Sequence, residues 1–275
     1  EKNLVSDRYE KLLKEYKNLK KENIRLNSEL NHIYNNEKRF METKSRLPKP
    51  ILYINKFNKD VYHSIKLKND NKQSILFFVH AWKNIDDQGS TFIGGTTLYV
   101  LDLINKIKKQ KHCYVVTVIN DRYMLVVFRN NSEYIYDLGI SVKVKNFDGY
   151  DYEFYKTINS LILNLQIDLI HINHIIDFPC DLSLIAKNVP TITTIHDYTF
   201  VCPRYFLLNS KNEICKGSTI KKCTKCIEDF KATEFELRKE ACNNLLKNSN
   251  KIIIPDESVY EKLIKMYECR NAIII

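Results

Sequence analysis

From about residue 74 onward, short runs of consecutive apolar residues alternate with amphipathic stretches, and this restricts the fold more than any other feature of the chain. Ser74-Ile75-Leu76-Phe77-Phe78-Val79-His80 and Cys113-Tyr114-Val115-Val116-Thr117-Val118-Ile119 are apolar at successive positions, not at every second one. A strand that is apolar on both faces must be covered on both faces, as in a parallel sheet flanked by helices. Between these two runs, residues 96–109 repeat their apolar positions at helical spacing. The same reading expects further strands at 123–128, 133–137, 168–172, 191–195 and 251–254. Helices are expected at 152–165, 181–187, 231–248 and 257–267. The expected fold class is therefore α/β: a doubly wound, Rossmann-like parallel sheet over 74–275. Ligands of such sheets collect in the crevice outside the carboxyl ends of the strands.

Bulk properties exclude some functions. No apolar run approaches the roughly 20 residues needed to span a bilayer, and the charged, polar start is not a secretory signal. The formal net charge of +10 favours anionic partners. The basic residues are spread along the chain, however, without the interleaved arginine and aromatic residues of a nucleic-acid surface, so no nucleic acid is expected. Lys106, Lys108, Lys109 and Lys111 close the first helix beside Leu101, Ile104 and Ile107. They form either a peripheral contact with anionic lipid or a solvated helix end favoured by the helix dipole. The chain is too long and too rich in core residues to need a disulfide framework. Cys113, Cys180, Cys242 and Cys269 sit beside apolar residues and read as buried thiols, which points to the cytoplasm. The chain lacks an initiating Met and ends on the strand-like Ala272-Ile273-Ile274-Ile275, so a fragment of a longer protein is expected.

Residues 1–46 carry heptads. Val5, Leu12, Leu19, Leu26, Ile33 and Phe40 recur every seven positions, with Tyr9, Tyr16, Asn23, Leu30 and Glu37 at the alternate core position. This predicts a coiled coil and a parallel homodimer, registered by paired Asn23 amides. The alternative is a single amphipathic helix packed on the globular part. Leu47-Pro48-Lys49-Pro50 breaks the helix, and 47–73 reads as linker or an edge hairpin.

Chemistry concentrates at three strand ends. Gly94-Gly95-Thr96 lies between the first strand and the first helix, where backbone amides can approach a ligand. It is not a dinucleotide fingerprint. Asp168-Leu169-Ile170-His171-Ile172-Asn173-His174 ends the second piece; His171 reads as a satisfied polar residue, and either Asn173 or His174 faces the crevice. The strand 191–195 delivers His196-Asp197-Tyr198. Four cysteines follow, Cys202, Cys215, Cys223 and Cys226, in what reads as an irregular loop. They can make a tetrahedral thiolate zinc site, two disulfides, or neither.

The run Thr194-Ile195-His196-Asp197-Tyr198 leading into Cys202-Pro203-Arg204 and further cysteines resembles the end of the first domain of family 4 glycosyltransferases, which have the two-domain GT-B fold. Asp168 to His174 resembles that family's Asp-x-x-His-x-His strand end, with Asn173 in the place of the second His. Ile252 to Ser258 resembles its apolar strand leading to a Ser-containing turn. The resemblance implies that 74–275 is a GT-B N-terminal domain whose donor domain is missing. It implies His174, His196 and Asp197 as catalytic residues, and Gly94, Gly95, Thr96, Asn173 and Arg204 as substrate-binding ones. The implied activity is retaining transfer of a sugar from a nucleotide-sugar donor to a glycan or lipid-linked acceptor, as in cell-envelope polysaccharide synthesis, with this half inactive alone. The rival reading is a non-catalytic coiled-coil scaffold bearing a degenerate transferase domain.

Overall fold

The computed structural model describes residues 72–82, 94–129 and 132–275, together with the backbone of the short strands at 54–56, 84–85 and 91–92. The heptads of 1–46 and most of the 47–73 segment lie outside the described residues.

Eleven strands and six helices follow in chain order among the described residues: β1 (Ile54–Lys56), β2 (Ser74–Val79), β3 (Asn84–Ile85), β4 (Thr91–Phe92), α1 (Gly95–Ile107), β5 (His112–Ile119), β6 (Arg122–Arg129), β7 (Ser132–Ser141), α2 (Tyr152–Asn164), β8 (Leu169–Ile172), α3 (Asp181–Ile185), β9 (Thr191–Thr194), α4 (Ile220–Cys226), α5 (Ala232–Asn248), β10 (Lys251–Ile254), α6 (Glu257–Leu263) and β11 (Ala272–Ile274). Nine strands form one sheet in the order β1-β7-β6-β5-β2-β8-β9-β10-β11. From β5 through β2, β8, β9 and β10 to β11, every pairing is parallel.

Side-chain alternation in β2 shows why this sheet is covered twice. Leu76 and Phe78 enter the larger core with Ile158 and Leu161 of α2 and Leu245 of α5. Ile75, Phe77 and Val79 enter a second core with Val100 and Ile104 of α1. Burying a side chain of this size stabilises the fold by about 1.5–3 kcal/mol each, so neither face of β2 can be left to water. Local signals set the helix ends as well. Asp151 caps α2 by accepting from the Glu153 and Phe154 amides, and Asp256 caps α6 by accepting from the Val259 amide.

The wholly parallel expectation needs correction on one side. β6 runs antiparallel to both of its neighbours, β5 and β7. Only Asn120 and Asp121 separate β5 from β6, and both have positive φ, 51° and 55°. A two-residue loop with this backbone closes a hairpin and cannot carry a parallel crossover. The 47–73 segment contributes β1, which pairs in parallel with β7 at the sheet edge. The cysteine stretch, expected to be irregular, contains α4, capped by the Thr219 hydroxyl, which accepts from the Lys222 amide.

Candidate active site

The strand ends of β2, β8 and β9 are neighbours in register, with Phe78 opposite Ile172 and Ile172 opposite Thr193. Parallel pairing therefore delivers the residues that follow them, His80, Asn173-His174 and His196-Asp197, to one edge. The rings of His80 and His174 lie 4.0 Å apart between centroids. His174 Nε2 is 3.0 Å from Asp197 Oδ2, and His196 Nε2 makes a long 3.5 Å contact with Asn173 Oδ1.

The hydrogen bonds assign the tautomers. The Ile176 amide donates to His174 Nδ1 at 3.1 Å, so that nitrogen carries no proton. Nε2–H of His174 then donates to Asp197. Asp197 Oδ1 also accepts from the Thr199 amide, at 2.7 Å, and from the Thr199 hydroxyl. Asn173, fully buried, donates from Nδ2 to the His171 carbonyl at 3.1 Å. That turns Oδ1 toward His196, whose Nε2–H is the donor in that contact. Both residues left open by the sequence thus join the cluster. β8 ends at Ile172, and the strict alternation of strand side chains ends with it.

Burial dominates the electrostatics. Desolvation, with the neighbouring His174 adding to it and Asp197 opposing it, lowers His80 to about 3. The same three influences lower His196 to about 4. Burial opposes ionisation of Asp197, but the hydrogen bond from His174 and those from Thr199 outweigh it and hold the carboxyl below its usual value. At neutral pH the edge therefore presents neutral imidazoles at His80 and His196 beside one carboxylate. His171 lies apart from the crevice: its Nε2 is 2.8 Å from the Thr194 hydroxyl, and it packs on Phe77. This is the satisfied polar role expected of it.

α1 flanks the cluster, since the Tyr99 ring meets His196 edge-on at 4.9 Å. Gly94 is the N-cap, with no side-chain cap and no acidic residue in the first turn. Gly94 and Gly95 are exposed and Thr96 is half-buried. A Cβ on either glycine would meet nothing within 4 Å among the described residues, so none of these demands glycine there.

Arg204 and the cysteines sit elsewhere. Arg204 Nη1 donates to the Asn209 carbonyl at 3.1 Å and lies 3.9 Å from Cys226 Sγ, bracing the cysteine loop. All eight cysteines are free thiols, so no disulfide closes the loop. Cys202 belongs to the main core, whereas Cys223 packs with Phe230 and Phe235 in a small separate one. Among the described residues, no group of three or more His, Cys, Asp or Glu side chains is placed to hold a metal ion.

Sequence reasoning counted the strand end at residue 80 among those converging on one edge but gave His80 no role, and it missed Tyr99, Thr199 and Arg238. His80 had a signal, as a polar residue closing an apolar strand, and among the described residues its buried Nδ1 has no partner. Arg238 had none. From α5 its buried guanidinium donates to the carbonyls of Asn146 and Thr199, tying the helix to the turn that holds Asp197.

A sequence model described as Glycosyltransferase Family 4 matches residues 93–275. No curated protein matches. Among solved structures, a sucrose-phosphate synthase from Thermosynechococcus elongatus aligns at 14% identity and a TM-score of 0.43, covering 74% of this chain and 48% of that one. The chain thus spans about half the length of that synthase. An uncharacterized sugar kinase from Pyrococcus horikoshii aligns at 8% identity and a TM-score of 0.31, covering 74% of this chain and 70% of that one. At these scores neither likeness carries an argument.

Proposed function

Because the chain belongs to glycosyltransferase family 4, we propose that it is the acceptor-side, first domain of a GT-B enzyme that moves a sugar, with retention, from a nucleotide-sugar donor to a glycan or lipid-linked acceptor. The observation that carries the reading is the imidazole and carboxylate cluster outside three adjacent parallel strand ends, beside an uncapped helix N-terminus. Sugar transfer develops negative charge on a leaving diphosphate, and first-turn amides with the helix dipole behind them suit that charge. His196, donating from Nε2 to Asn173, keeps Nδ1 as an acceptor for a sugar or acceptor hydroxyl. His174 has both ring nitrogens engaged and acts as a positioning residue, holding Asp197 ionised and oriented. Asp197, about one-third exposed, can accept a second hydroxyl. The donor nucleotide would be held by a second domain, and the heptads of 1–46 would pair two chains in parallel.

The test is transfer by the complete enzyme. His196→Ala should lower kcat/KM on the order of 100-fold, the scale of one preorganised polar contact, with little change in the urea midpoint. Transfer at the parental rate would misplace the site. If the unmodified enzyme neither hydrolyses nor transfers from any nucleotide sugar, the scaffold reading replaces this one. Sedimentation of the chain with and without 1–46 should give dimer and monomer.

A further inference from the structure

Two cavities open on the stretch between β9 and α5, and both are lined by lysine. Lys216, Lys221, Lys222 and Lys225 line one of about 610 Å3; Lys216, Lys262 and Lys265 line another of about 450 Å3. One carboxylate accompanies each set, Glu213 and Glu261 respectively. Ile214 lines both cavities and is 76% exposed. The antiparallel bridge of Leu208 with Ile214, and the bond from the Cys215 amide to the Leu207 carbonyl, bring the preceding segment alongside. There Phe206 is 58% exposed. Exposed Ile214 therefore shares its two cavities with six lysines, and exposed Phe206 lies on the segment bridged to it.

Two needs meet at this surface. Large apolar side chains gain by leaving water, and six lysines against two carboxylates call for an anionic partner. A nucleic acid would satisfy the lysines but has no place for an aliphatic tip. An anionic bilayer satisfies both, because apolar side chains enter the boundary between headgroup and acyl chain while ammonium groups meet lipid phosphates. We propose that this loop docks the protein on an anionic lipid bilayer, with Ile214 and Phe206 entering the interface and the surrounding lysines on the headgroups. The surface is distinct from the strand-end cluster and does not depend on the glycosyl-transfer reading. Among the described residues no helix is long and apolar enough to cross a membrane.

Flotation of the 275-residue chain with vesicles of phosphatidylcholine, alone or mixed with phosphatidylglycerol, tests this. Binding is expected to the mixed vesicles only and to weaken as salt is raised. Each lysine near such a surface contributes roughly fivefold in affinity. Reversing Lys221, Lys222 and Lys225 to Glu should therefore weaken binding more than about tenfold, even with partial insertion. Ile214→Asp, at an exposed position whose loss opens no core, should weaken it with an unchanged circular dichroism spectrum. Equal binding to both vesicles, or to neither, overturns the proposal. So does binding that survives the loop variants but disappears on reversing Lys108 and Lys109, which would move the surface to the end of α1. Loss with the lysine variant but not with Ile214→Asp would leave charge alone and refute insertion of the tip. RNA binding without vesicle binding would refute a lipid partner.

Discussion

His171 offers a measurable test of how deeply the strand ends are buried. Burial, aided by the nearby His196, lowers its pKa from 6.5 to about 4. A base whose pKa falls on folding contributes stability that is fully present above the unfolded pKa and is lost as pH falls toward the folded one. The window thus runs from about 6.5 down to about 4. Between pH 8 and pH 5 the unfolded imidazole takes up nearly one proton and the folded one almost none, which costs the fold about 2 kcal/mol. His171→Gln removes this titration while leaving an amide within reach of the Thr194 hydroxyl. Urea unfolding of both proteins at the two pH values gives the double difference, in which contributions of ionisable groups not coupled to His171 cancel. The wild type should lose about 2 kcal/mol more than the variant between pH 8 and pH 5. A proton NMR titration of the folded protein gives an independent reading. Equal losses for the two proteins, or an imidazole titrating near its unperturbed value, would refute the reasoning.

Three further outcomes are expected. Arg238→Met should destabilise the fold by about 2–4 kcal/mol, because it strands the buried Thr199 carbonyl and the partly buried Asn146 carbonyl; a thermal or urea shift worth less than about 1 kcal/mol would contradict the clamp. Gly95→Ala places a Cβ in open space at the first helical position and should hold or raise stability by roughly 0.4–1 kcal/mol. The same change should lower transfer in the complete enzyme, and a stability loss with unchanged transfer would reverse the assignment. With a maleimide at neutral pH, half-buried Cys215 and Cys226 should react before Cys202 and Cys223, whose thiols burial holds more fully protonated. Equal rates would contradict this order, and protection of all four that a chelator reverses would show them closing on zinc.

The sequence by itself determined the main strands and helices from Ser74 onward, though not the short β3, β4 and α4, together with the apolar strands covered on two faces and the three strand ends that carry polar residues. These are local signals, since periodicity and strand-end residues are written within a few positions of one another. Asn120-Asp121 was legible too, as a two-residue hairpin turn, though the apolar runs on either side drew the reading toward a parallel sheet. Only the tertiary structure decided the order of the parallel strands in the sheet and which ring nitrogen of each histidine is engaged. Those depend on contacts between residues far apart in the chain. His174 finds Asp197 across 23 residues, and Arg238 finds Asn146 across 92. The direction of a side chain beyond a strand end is set by whichever distant partner satisfies it once water is excluded, and no local pattern records that partner.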